Sequence, residues 1–313
     1  MARAKYVFLN DQIVPWEKAQ VHVFSPVAKY GAGVFEGIRG YWNPQHEEMY
    51  IFRLPEHLDR LTYSQSMMRL ERIVSPEYLT EKTIALLQAN EFRETVHIRT
   101  QVFVDGEGDV GARGPVGVAI IAVPRPMPKQ LTEGVTAQVS SWIRISDLSM
   151  PARVKSNANY QNGRLAQLQA KADGYDAPIL LNSRGKVSEG AAMCFFMVRN
   201  GRAVTPSVTS DILESVTRST LLDLIREQMG TEPIEREIDR SELYAAEEAF
   251  FCGTGWEVTP ITGIDRLPVG TGKVGPFVQR LQKTYFDIVG GVSKDHAEWR
   301  TPVYRRRNDL AAQ

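Results

Sequence analysis

The chain has 313 residues, 43% of them hydrophobic and 24% charged, the composition of an ordinary globular protein with enough length for two cores. Its 37 basic and 37 acidic residues cancel, which argues against nucleic acid or an anionic membrane as a partner. No apolar run approaches the length of a membrane span and no signal peptide precedes the first polar residues; Cys194 and Cys252 lack the spacing of a zinc or redox motif, so the expected setting is reduced and cytoplasmic.

In chain order, YVFLN and QIVPW predict an opening hairpin, and PEHLDRLTYSQSMMRL predicts a helix with Pro55 in its first turn and Leu58, Leu61 and Met68 at helical spacing. HIRTQVFV and VGVAIIAV then read as paired strands around a glycine-rich loop. Three prolines in the five residues 124–128 open PRPMPKQLTEG, which suits an exposed linker over 125–134. The expected domains are therefore 1–124 and 135–313, with a polar tail from about 301 that carries Arg305, Arg306 and Arg307.

Past the linker, APILLN, KVSE, AAMCFFMV and RAVTP, separated by NSRG and RNG, predict a β-meander. SVTRSTLLDLIREQM predicts a helix with Leu221, Leu222, Leu224 and Ile225 apolar, EAFFCG a buried strand ending at a glycine turn, and PFVQRLQKTYFDIV a last helix with Phe277, Leu281, Tyr285 and Ile288 apolar. Two glycine motifs carry no nucleotide site. GEGDVG at 106–111 has the letters of a dinucleotide fingerprint, but Gly114, Pro115 and a strand follow where a helix must open, so it is a hairpin loop. GTGKV at 270–274 lacks the upstream glycine and the hydroxyl residue of a phosphate loop.

The chemistry lies in an ordered series of polar residues: Lys155 and Tyr160 in VKSNANYQNGR, Glu189 in KVSEG, Thr217 in ILESVTR and Thr254 in FFCGTGWE. Singly, each has an ordinary reading: a solvated lysine, a turn carboxylate, a helix cap. Together they are the groups that pyridoxal phosphate needs. Its aldehyde condenses with a lysine amine, and the released lysine can move the substrate's α-proton. A carboxylate must meet the pyridine nitrogen, a phenol suits the ring oxygen, and the phosphate needs amides at a helix start with hydroxyls nearby.

VFEGIRGY (34–41), FRLPEHLDRL (52–61), KSNANYQNGRL (155–165), LLNSRGKVSEGAAMCFFMVRNG (180–201), DILESVTR (211–218) and FFCGTGWEVTPI (250–261) resemble the class IV aminotransferases. Within that class they are most similar to the branched-chain amino acid aminotransferases, from about residue 5 to about residue 300. The resemblance implies the α+β, two-domain architecture of fold type IV: a small N-terminal α/β domain, a larger C-terminal pseudo-barrel domain, and the cofactor in the cleft between them. It implies a homodimer. It assigns the Schiff-base and proton-transfer role to Lys155, with Arg60, Tyr160, Glu189, Leu213, Val216, Thr217 and Thr254 also binding the cofactor.

On the substrate side the resemblance implies Phe35, Gly37, Thr254 and Gly255 as lining residues, and Tyr30 reaching across from a partner subunit. Arg99 matches the position that grips the side-chain carboxylate of glutamate, for which a guanidinium fork is suited. Strand alternation places His97 on the same face as Arg99. Four departures bear on the substrate. His97 stands where a tyrosine is common, residues 125–129 with Arg125 replace expected aromatic residues, Ser215 replaces a glycine, and Trp256 replaces a small residue.

The expected function is therefore a ping-pong transfer of the amino group of a branched-chain L-amino acid to 2-oxoglutarate. The same machinery serves D-amino acid or (R)-amine transamination and aminodeoxychorismate lysis. A non-enzymatic pyridoxal phosphate carrier is the reading from another class, against which the retained Lys155 and Glu189 speak.

Overall fold

The computed structural model describes residues 4–304. In chain order its first elements are β1 (Tyr6–Leu9), β2 (Gln12–Pro15), α1 (Pro26–Tyr30), β3 (Gly33–Asn43), β4 (Glu48–Phe52), α2 (Leu54–Met67), α3 (Pro76–Asn90), β5 (Val96–Val104) and β6 (Val116–Pro124). There follow α4 (Gln130–Glu133), β7 (Val135–Val139), α5 (Tyr160–Ala172), β8 (Ala177–Leu181), β9 (Val187–Gly190), β10 (Cys194–Arg199), β11 (Arg202–Thr205), α6 (Val216–Met229) and β12 (Ile234–Glu235). The last are β13 (Glu248–Gly253), β14 (Glu257–Ile264), β15 (Leu267–Pro268), α7 (Pro276–Val289) and β16 (Arg300–Pro302). No helix among the described residues is long and apolar enough to cross a membrane.

The chain forms two compact units, and their membership corrects the contiguous division expected from sequence. The first unit runs to Pro126 but also takes Val154–Ala158 and the chain from Asp287 on; the second takes Met127–Arg153 and Asn159–Phe286. The expected tail is corrected as well. Residues 300–302 pair with β4, Val303 is buried, and the main-chain amides of Val303 and Tyr304 donate to the Glu48 carboxylate at 3.0 and 2.9 Å. Arg305, Arg306 and Arg307 lie outside the described residues.

The first unit is built on an antiparallel sheet in the order β16-β4-β3-β5-β6-β1-β2. Its opening hairpin turns at Asn10 and Asp11, both with positive φ, the conformation that two-residue hairpins require. The alternation of HIRTQVFV is observed. Val96, Ile98 and Val102 join Leu58 and Leu61 of α2 and Leu79, Leu86 and Leu87 of α3 in one core, while His97, Arg99 and Gln101 take the other face of β5. β5 and β6 pair from Val96↔Pro124 to Val104↔Val116, so GEGDVG is the hairpin loop it was expected to be.

In the second unit the strand order is β12-β11-β10-β13-β14-β7-β8-β9, with β15 on β14. The sheet mixes antiparallel and parallel pairings. The meander reading is half right. β8 with β9 and β10 with β11 are hairpins, but β13 comes back to the free side of β10, and β7 runs parallel to both β8 and β14. Phe195, Phe251, Val187, Ile179 and Ile261 fill one face. α5 approaches that sheet through Gly163, where a Cβ would lie 2.0 Å from the Ala191 carbonyl oxygen, so only glycine permits the contact. α6 buries Leu221, Leu222, Leu224 and Ile225, the side predicted from its spacing.

Candidate active site

In the first unit the candidate residues gather on β3, β5 and the segment 154–158. Val34 bridges to Ser156, and the Phe35 amide donates to the Lys155 carbonyl at 3.0 Å, which draws the lysine's main chain onto the edge of β3. The Lys155 amide donates to Ser64 Oγ of α2 at 3.3 Å. Its Nζ lies 4.9 Å from the centre of the buried Phe35 ring, an amine half-buried against an aromatic face.

β3 and β5 pair Gly37 with Arg99 and Arg39 with His97, so Phe35, Gly37, Arg39, His97 and Arg99 share one sheet face. The Arg99 guanidinium stacks 3.8 Å from the Phe35 ring centre and donates to Asn157 Oδ1 at 3.2 Å. A Cβ at Gly37 would lie 3.1 Å from Cε1 of His97, so the glycine makes room for the imidazole. Burial, then the charges of Arg39, Arg125, Lys155 and Arg99, push His97 down to about 3, and its buried Nδ1 has no hydrogen-bond partner among the described residues. Neutral His97 is thus set among four cations. Arg125 is exposed, but its amide donates to Thr95 O at 2.9 Å and its carbonyl accepts from Arg39 at 3.2 Å, which ties it to the first unit; the rest of the expected linker holds α4, whose Leu131 is buried. Tyr30, the last residue of α1, is 46% exposed.

Arg60 takes the opposite face of β3, beneath α2. Its Nε and Nη2 donate to the two oxygens of Glu36 at 2.7 Å each, and His57 Nδ1 meets Glu36 Oε2 at 2.7 Å. Burial alone would raise the Glu36 carboxyl; the Arg60 charge and the bonds from His57 and Arg60 outweigh it and hold the group at about 2. Burial pulls His57 below its ordinary value despite Glu36.

The second unit holds the other candidates. Glu189, at the end of β9, is buried and ion-paired with buried Arg144 at 2.8 Å, and it accepts the Leu213 amide at 3.1 Å. Cys194 lies against it, 3.8 Å from Sγ to Oε2, and is the register partner of Cys252; both thiols are buried and unbridged, and burial with the Cys194 contact raises Cys252. Ser215 caps α6, its side chain accepting the Arg218 amide at 3.3 Å. At φ −79 and ψ 131 it is extended, so serine serves where a glycine was expected. Val216 and Thr217 are the first helical residues, whose amides no intrahelical carbonyl can reach. Tyr160 opens α5, half-buried. Thr254, Gly255 and Trp256 form the turn joining β13 to β14, with Trp256 N–H donating to Gly253 O at 3.1 Å. The Trp256 indole packs on the core, 5.8 Å from Phe251 and edge-on.

The first unit thus brings together Lys155, Phe35, Gly37, His97 and Arg99, with Arg60 on the other face, and the second brings Glu189 to Leu213. Sequence reasoning missed Arg144, Glu36, His57 and Asn157. Only Glu36 left a signal, as a carboxylate inside an apolar strand run.

A family described as amino-transferase class IV matches residues 33–264. The chain belongs to the class IV aminotransferases. It is 38% identical over 302 residues to the branched-chain-amino-acid aminotransferase of Pseudomonas aeruginosa, covering 95% of this chain and 97% of that protein. Among solved structures it resembles the branched-chain amino acid aminotransferase of Thermobaculum terrenum in its PLP form, with a TM-score of 0.90, 40% identity, and coverage of 97% of this chain and 99% of that one. It also resembles a T.th. branched-chain amino acid aminotransferase complexed with N-(5'-phosphopyridoxyl)-L-glutamate, with a TM-score of 0.90, 33% identity, and coverage of 96% and 99%. With membership of the class come pyridoxal phosphate and transaminase chemistry.

The residues present fit that cofactor. The structure supplies an amine against an aromatic face, a guanidinium paired with a buried carboxylate, a second buried carboxylate with its own cation, and a capped helix N-terminus.

Proposed function

We propose that the chain transfers the amino group of a branched-chain L-amino acid to 2-oxoglutarate in two half-reactions. One observation carries this reading: it matches branched-chain enzymes over nearly the whole of both chains, at 40% identity and a TM-score of 0.90 to the Thermobaculum terrenum structure. The related enzyme complexed with a glutamate derivative supports glutamate as the second amino acid.

Pyridoxal phosphate, when bound, supplies the carbonyl that takes the amino group and the ring that accepts electron density from Cα. The work of the chain's own residues follows from their surroundings. Lys155 would hold the cofactor through its Nζ, and that same amine would move the proton at Cα, with the Phe35 ring beside it excluding water. Glu189, paired with Arg144, presents negative charge for the ring nitrogen, and Tyr160 a phenol for the ring oxygen. Arg60, the amides of Val216 and Thr217, and the Thr217 and Thr254 hydroxyls hold the phosphate, where the helix dipole favours a dianion.

Assigned to the substrate side are Phe35, Gly37, His97 and Arg125 of the first unit and Thr254, Gly255 and Trp256 of the second. Arg99, stacked on Phe35, takes the side-chain carboxylate of glutamate. Tyr30 of the partner subunit completes the site in a cytoplasmic homodimer.

The test is a set of half-reactions in which the bound cofactor's visible absorption is followed as single donors are added. L-leucine and L-glutamate should each discharge the band, and D-alanine and (R)-1-phenylethylamine should not. A response to (R)-1-phenylethylamine or D-alanine with none to L-leucine overturns the substrate assignment. No response to any donor points to the carrier reading.

A further inference from the structure

Arg60 and the residues behind it form a chain of three buried or half-buried groups within the first unit. Glu36 stands in the middle of β3 with no exposed surface, on the same sheet face as Val34 and Ile38. Arg60 meets it with a parallel pair of hydrogen bonds, both 2.7 Å, and His57, one helical turn before Arg60, adds a third at 2.7 Å. The spacing of three along α2 puts His57 and Arg60 side by side toward β3. Ser64, the next turn of the same helix stripe, accepts the Lys155 amide. One face of α2 thus carries the guanidinium and the main-chain anchor of the lysine segment.

We infer that Glu36, with His57 behind it, is a positioning residue that sets the Arg60 guanidinium for the phosphate of the cofactor, an inference that rests on the proposed role of Arg60 in binding that phosphate. Arginine carries large rotamer entropy, and a two-point carboxylate contact removes most of it before any ligand arrives. His57 holds the carboxylate in turn. With Glu36 ionised, the shared proton belongs on His57 Nδ1, so the imidazole donates and Oε2 accepts from both His57 and Arg60.

A second effect has the opposite sign. The Glu36 charge repels a phosphate dianion, so if charge outweighed order, its removal would tighten binding. The fork geometry and full burial argue that order prevails, since the carboxylate is held behind the guanidinium by three short bonds.

The experiment measures the dissociation of pyridoxal phosphate and of pyridoxal, which lacks the phosphate, by equilibrium dialysis of the purified holoprotein and its variants. Arg60→Ala and Glu36→Gln are each expected to weaken pyridoxal phosphate at least tenfold and to leave pyridoxal within twofold of wild type. The double variant should be no weaker than Arg60→Ala alone, because Glu36 acts through Arg60. Glu36→Asp keeps the charge, shortens the reach and should fall between wild type and Glu36→Gln, which covers the case in which glutamine prevents folding. Equal weakening of pyridoxal, additive losses in the double variant, or tighter pyridoxal phosphate binding in Glu36→Gln each overturns the positioning role. If Arg60→Ala binds pyridoxal phosphate as wild type does, the phosphate reading of Arg60 itself fails, and the inference with it.

Discussion

Replacing His97 by tyrosine should change how stability depends on acid, and by a predictable amount. In the folded protein burial and four neighbouring cations hold the imidazole at about 3, against an ordinary value of 6.5. The folded state therefore resists a proton that the unfolded chain accepts. Stability associated with His97 is full above pH 6.5 and is lost as pH falls from there toward 3. Each pH unit in that window corresponds to about 1.4 kcal/mol. Between pH 7 and pH 5 the loss comes to about 2 kcal/mol, because pH 5 lies well above the folded-state value and the unfolded state alone takes up the proton. Denaturant unfolding of the wild type and His97→Tyr, at half-unit steps from pH 7.5 to pH 5, measures the difference directly. Tyrosine does not titrate there, so His57 and the carboxylates contribute equally to both proteins and cancel in the comparison. The gap between the two curves should close, in favour of the variant, by about 2 kcal/mol over this range. Parallel curves would refute the reasoning, since they would mean that His97 is protonated in the folded protein or reached freely by water.

Three further outcomes follow from other contacts. Lys155→Ala should abolish amino transfer and the cofactor's visible band; wild-type turnover in that variant would remove Lys155 from the reaction. Arg144→Met should cost about 3–5 kcal/mol in stability, since it leaves the buried Glu189 carboxylate without the cation 2.8 Å away, and a denaturation midpoint equal to wild type would show that water reaches the site. Gly163→Ala should lower the denaturation midpoint with an unchanged slope, by about 1–3 kcal/mol, because its Cβ would meet the Ala191 carbonyl oxygen at 2.0 Å; a neutral result would mean that α5 shifts without loss.

What could be read in the sequence was local. α7 spans the predicted Pro276–Val289, specified by its periodic apolar stripe, and β13 the predicted Glu248–Gly253, specified by a continuous apolar run that stops at a glycine. The order of strands was not local. β10 finds β13 about fifty residues on, and β7 finds β14 more than a hundred residues on; both pairings follow from which faces the core covers, which no spacing records. The same distinction governs the site. Lys155, Glu189, Thr217 and Thr254 sit in recognisable motifs, whereas Arg144 lies forty-five positions before the carboxylate it pairs with, in a stretch that reads as an ordinary loop.

β3 shows what partial legibility looks like. VFEGIRGY has two charges, Glu36 and Arg39, in a strand buried on both faces. Three positions apart, they must point to opposite sides of the sheet. Neither can share a partner with the other, and a buried charge without one is too costly to persist. The sequence therefore demanded two separate long-range partners without naming them. In the structure they are the Arg60 and His57 side chains beneath α2 for Glu36, and on the far face the main-chain carbonyl of Arg125 for Arg39. The demand also explains the placement of function. A strand that must satisfy one charge on each face orders an arginine on one side and a cationic cluster around His97 on the other, so the two groups proposed to meet the cofactor and its substrate are both held by one eleven-residue strand.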